Sequence, residues 1–187
     1  NIFTFIDDEP RLIRPANYPG PCPGQGYHVY KAGFNKNIAV INVSGRMFLP
    51  PLDCPFQTVR DILKDLAGCA DHIIVDIHAE ATSEKLALGY CFDGQVAAVL
   101  GTHTHIQTSD ERILPKGTAY ITDLGMTGPI HSILGMEIAP IVAKFLNGRP
   151  TRFEVAGGPA QMQGVVIELD ENHGTAVSIE RFTMSME

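Results

Sequence analysis

Two nearly continuous apolar runs, "IIVDI" at 73–77 and "VAAVL" at 96–100, constrain the fold more than any other feature of this chain. A strand with one wet face alternates apolar and polar residues. A run without that alternation belongs to a strand covered on both faces, the usual condition of a parallel sheet. Parallel neighbours need a crossover between them. "TSEKLALGY" (82–90) has the composition of a short crossover helix, with Thr82 or Ser83 as its cap. The chain therefore reads as α/β, with these two runs as central strands.

The flanking segments add mixed pairing. "YHVYKAGFNKNIAVINVSG" reads as strand, Gly/Asn turn, strand, and "QGVVIELDENHGTAVSIERF" as a hairpin around Asp170–Gly174. "GTAYITDLG" (117–125) is a third buried strand. Val59, Ile62, Leu63 and Leu66 recur at helical spacing behind Thr58, with Asp61 three residues on. In "EIAPIVAKFLNG" (137–148), Ile138, Ile141, Val142 and Phe145 share one helical face and Gly148 stops the helix. "RPANYPGPCPGQG" (14–26) reads as an ordered surface loop, and "GRMFLPPLDCPF" (45–56) as a loop with an exposed Met-Phe-Leu tip. No repeat or linker divides the chain, so residues 1–187 read as one domain.

Charge narrows the function classes. The net charge is −7 with 14 Lys and Arg among 187 residues, and no basic run. That argues against a partner such as double-stranded nucleic acid, whose phosphates call for clustered cations. No stretch approaches the ~20 apolar residues of a membrane span. Cys22, Cys54, Cys69 and Cys91 show no CxxC spacing, which favours a reduced, cytoplasmic protein over a disulfide framework.

Ligands of α/β sheets bind at the C-terminal ends of the strands. His78 closes the first apolar run, and "GTHTH" puts His103 and His105 just past the second. Neutral imidazole is the commonest protein metal ligand, so His78, His103 and His105 are candidate ligands, expected to converge. Each has a plainer reading as a hydrogen-bonded strand-end residue. Asp76 reads as a strand-end hydrogen-bond partner. Glu80 and Glu84 read as supports behind the ligands or as solvated acids opening a helix. His28, His72, His131 and His173 read as ordinary surface or capping residues. Arg46 and Thr104 are weaker candidates for touching a substrate phosphate or base. Two ions would need more donors than these, including a bridging carboxylate, and no acid near the cluster offers itself.

"VDIHAEATSEK", "GTHTHIQTSDERILPKGTAYITDLGMTGP", "RPANYP" and "PPLDCPF" together resemble the bacterial YmdB-type metallophosphoesterases, a branch of the calcineurin-like phosphoesterases. The resemblance runs from residue 1 to about 182. It implies a four-layer αββα sandwich with mixed sheets and two metal ions, iron or manganese. It further implies hydrolysis of small phosphodiesters, 2′,3′- and 3′,5′-cyclic nucleotides among them, by metal-activated hydroxide attack on phosphorus. His78 and His103 would then hold one ion and His105 the other. The family's bridging Glu, its further ligands and its general-acid His come from an N-terminal third that has no counterpart in these residues. Asn1 does not match the family's ligand Asn, because no His follows it.

The chain thus reads as the C-terminal two-thirds of such an enzyme, N-terminally truncated and by itself inactive or nearly so, with its catalytic general acid unknown. The alternatives are a regulatory or non-catalytic protein that keeps the fold without a working centre, and a capsule-type metallohydrolase of related fold. "HAEATSEK" and "DERILPKGTAYITDLGMTGP" argue against the last. Without N-terminal strands, strands 73–77 and 96–100 are expected to carry unpaired edges, and the chain to self-associate as a homo-oligomer.

Overall fold

The computed structural model describes residues 2–33 and 35–186. A 3-10 turn at Ile2–Thr4 leads through the Pro-rich loop to a hairpin, β1 (Tyr27–Lys31) and β2 (Asn37–Ser44). Then come α1 (Pro55–Asp65), β3 (His72–His78), α2 (Thr82–Cys91) and β4 (Ala98–Thr102). Short strands β5 (Arg112–Ile113), β6 (Ala119–Ile121) and β7 (Thr127–Pro129) precede α3 (Ile138–Asn147). The long hairpin β8 (Ala160–Leu169) and β9 (Ala176–Met186) completes the described chain.

One sheet has six strands in the order β1-β2-β3-β4-β6-β5, and a second has three, β7-β8-β9. β2, β3, β4 and β6 run parallel, with antiparallel β1 and β5 at the edges. This corrects one expectation. β3 is paired on both sides, by β2 and β4, and β4 by β3 and β6, so neither apolar run presents a free edge. Their two-sided apolar character reflects two covering layers.

The pleat sends alternate residues into two cores. Ile41, Val43, Val75, Ile77, Val99 and Tyr120 face the helices, against Val59 and Ile62 of α1 and Leu88 of α2. Ala98, Ala119 and Ile121 face the smaller sheet, against Val165, Ile167 and Ile179. The order is helices, large sheet, small sheet, three of the four layers expected. α3 adds no fourth layer: Val166 and Met184 stay exposed on the small sheet's outer face. The apolar face of α3 is mostly exposed. Ile141 is buried, but Ile138 and Val142 are exposed and Phe145 is 84% exposed.

Two helix starts differ from the sequence reading. α1 begins at Pro55, with Cys54 as N-cap and no side-chain cap. Proline's preset φ and missing N–H suit the first helical position, so the helix starts ahead of Thr58, whose N–H already donates to the Cys54 carbonyl. In α2 the N-cap is Ala81, and Thr82 and Ser83 are the first two helical residues. α3 ends as expected, on Gly148 with a left-handed φ of 69°.

Candidate metal centre

Parallel register brings the site together. His78 ends β3 directly beside Thr102, the last residue of β4, and the "HTH" loop continues from there. β4 approaches its neighbour closely at Gly101. A Cβ there would lie 1.7 Å from the Thr122 carbonyl oxygen and 2.9 Å from Cδ of Lys85. Only glycine lets the chain pass.

His78 and His103 meet edge to face, ring centroids 4.7 Å apart, with His78 Nε2 3.0 Å from His103 Nδ1. The outer nitrogens decide the proton positions. His103 Nε2 lies 2.9 Å from the Glu80 carboxylate, an acceptor, so Nε2 carries a proton and, in the neutral ring, Nδ1 a lone pair. His78 Nδ1 lies 3.3 Å from Thr102 Oγ1. That hydroxyl donates to Asp76 Oδ1 at 2.9 Å, so it accepts from His78 and leaves Nε2 with a lone pair. With the protons assigned this way from their partners and both rings neutral, two lone pairs face each other across 3.0 Å. Facing lone pairs repel unless a cation, a metal ion or a proton, sits between them. Burial, aided by the neighbouring His103, pushes the His78 pKa below its usual value, which favours the neutral, ligating form. Desolvation raises Asp76 despite hydrogen bonds from Thr102 and Asn42.

The pair fits a metal. Two nitrogens each ~2.1 Å from one ion lie ~3.0 Å apart when they subtend a right angle. Outer nitrogens engaged by a carboxylate and by a hydroxyl backed by a carboxylate are the supports that ligating histidines ordinarily have. The fit is partial. Among the described residues, no group of three or more His, Cys, Asp or Glu is placed to hold an ion. His105 lies two residues past His103, exposed, with φ 66°, and no hydrogen bond or ion pair among the described residues joins it to the pair. Asn1 lies outside the described residues.

The other candidates have different occupations. Thr104 turns inward, donating its hydroxyl to Asp123 Oδ2 at 2.7 Å, so that donor is committed to the protein rather than to a substrate. The Arg46 guanidinium lies 3.5 Å from Cys54 Sγ within its own loop. Met47 and Phe48 beside it are exposed, as expected of the loop tip. Glu84 is no solvated acid: it is buried and accepts the N–H groups of Arg46 and Met47. His72 is buried at the start of β3, not on the surface, and its Nδ1 has no hydrogen-bond partner among the described residues.

Sequence reasoning missed Lys85 and Asp123, whose side chains are both 0% exposed and 3.0 Å apart. The signal was present. Lys85 shares a helical face with Leu88 and Phe92, both buried, where a lysine needs a partner. Asp123 follows β6 at the same strand-end edge as the histidines.

Residues 1–182 match the model of the YmdB-like protein family. A 2′,3′-cyclic-nucleotide 2′-phosphodiesterase of Bacillus subtilis is 54% identical over 184 residues, covering 98% of this chain and 69% of that protein. A solved structure from Thermus thermophilus aligns over the whole chain and 71% of its own length, with TM-score 0.93 and 41% identity. A phosphatase structure from Mycoplasma pneumoniae aligns over 98% of this chain and 67% of its own length, with TM-score 0.88 and 34% identity. Two further Mycoplasma relatives are covered over 62% and 58% of their lengths.

Fold, paired imidazoles and these likenesses define the class as phosphoester hydrolases. Within that class, the chain belongs to the YmdB-like family.

Proposed function

We propose that this protein is a metal-dependent phosphodiesterase acting on small phosphodiesters, 2′,3′-cyclic nucleotides first and 3′,5′-cyclic nucleotides second. The observation that carries the reading is the pair of ring nitrogens, His78 Nε2 and His103 Nδ1, facing each other 3.0 Å apart at the ends of adjacent parallel strands. His78 and His103 hold one ion and His105 contributes to a second, the ions being iron or manganese. When bound, such ions neutralise phosphate charge and acidify a water molecule. The chain's own residues do the rest. Glu80 holds the His103 proton on Nε2, Thr102 and Asp76 hold the His78 proton on Nδ1, and both lone pairs stay aimed into the site.

Two donors and an exposed third histidine are too few for a dinuclear centre. The 187 residues alone therefore turn over slowly or not at all, as a non-catalytic protein of this fold would. The same reading makes the protein cytoplasmic, in keeping with four free cysteines. No described helix is long and apolar enough to cross a membrane. Self-association belongs to it too, through exposed apolar faces on α3 and the outer side of β8 and β9.

The test is hydrolysis of a 2′,3′-cyclic nucleotide by the natural gene product with added Mn²⁺. H78A and H103A should each lose more than the ~10–100-fold typical of a ligand's outer partners. Activity unchanged in either variant would overturn the proposal.

A further inference from the structure

The loop that carries two of the histidines is anchored to a fully buried ion pair. His103 and His105 have φ of 107° and 66°, on the left-handed side where residues other than glycine are uncommon. Such backbone persists only where its surroundings over-determine it. Thr104, between them, supplies the restraint. Its N–H donates to Asp123 Oδ2 at 2.9 Å and its hydroxyl to the same oxygen at 2.7 Å.

Asp123 is itself fixed. Lys85 Nζ donates to Oδ2 at 3.0 Å, and the Gly125 N–H donates to Oδ1 at 3.0 Å. Both charged side chains are fully buried. Lys85 reaches Asp123 past Gly101, where even one added carbon would crowd its stem. A buried carboxylate with these donors cannot shift without leaving a charge unpaired, so whatever hangs from it is held in place.

We infer that Lys85, Asp123 and Thr104 are positioning residues: a buried clamp that fixes the backbone of the His103–Thr104–His105 turn and thereby aims both rings. The inference rests on the ion-site reading of those histidines. Thr104 is the separable member, because it is only partly buried and its hydroxyl serves the loop, not the core.

The experiment uses the full chain and the substitutions T104V, T104S and H103A. Mn²⁺ affinity is read by calorimetry, amide exchange at residues 103–106 by NMR, and stability by thermal unfolding. T104V keeps the side-chain shape and the backbone N–H bond to Asp123 and loses the hydroxyl donor. It should weaken Mn²⁺ binding ~10–100-fold and speed exchange at 103–106, with the unfolding midpoint and β3 and β4 exchange little changed. T104S should restore both. Wild-type exchange and affinity in T104V would overturn the clamp. So would a loosened loop with wild-type affinity in T104V while H103A binds weakly. If T104V loosens the loop and neither it nor H103A alters Mn²⁺ binding, the clamp stands and the ion-site reading falls.

Discussion

Lys85 shows how one side chain can decide a site it never touches. Its ammonium is buried against Asp123 at 3.0 Å with no exposure. A buried pair adds little net stability over an apolar replacement, but removing one partner strands the other charge. K85M should therefore cost ~3–5 kcal/mol in urea unfolding. K85M/D123N should recover part of that loss, because the amide carries no charge and its oxygen still accepts from Thr104. A loss below ~1 kcal/mol in K85M would place the pair at the exposed end of the range for ion pairs, against the burial argued here.

Among the elements, α3 stands apart. It has ten residues, short of the ~12–15 at which even good isolated helices become marginal in water. Ile141 is its one buried residue, while Phe145 and Leu146 are more than 80% exposed. Helices with so little tertiary packing open locally at low free energy. In dilute solution the amides of Val142–Asn147 should exchange decades faster than those of Val75–Ile77. Equal protection would mean that the α3 face is already covered. α3 was easy to read in the sequence as a helix, from its spacing and from Gly148. What its apolar face packs against was not legible, because periodicity marks an apolar face without saying what lies against it.

For the molecule as a whole, the paired edges of β3 and β4 remove one ground for self-association, and the uncovered faces supply another. Ile138, Val142, Phe145 and Leu146 on α3, and Met162, Val166 and Met184 on the small sheet, are exposed. Apolar surface of this kind usually marks contact with another chain. Light scattering should show mass rising with concentration over the micromolar range, together with slower exchange in α3. A mass fixed at 20.3 kDa throughout would refute self-association.

By itself the sequence determined the local and repetitive features. These are the two central strands, the terminal hairpins, the helix before Gly148, and the strand-end address of His78 and the "HTH" loop. Each follows from short-range chemistry: periodicity, turn residues, and the rule that ligands gather where parallel strands end. Only the tertiary structure decided which groups face each other. It set His78 Nε2 opposite His103 Nδ1, turned Thr104 inward, buried Glu84 under the Arg46 loop and joined Lys85 to Asp123. Those contacts link residues 19 to 38 positions apart. Their distances depend on strand register and on how close two backbones can come at Gly101, and no local pattern of residues encodes either.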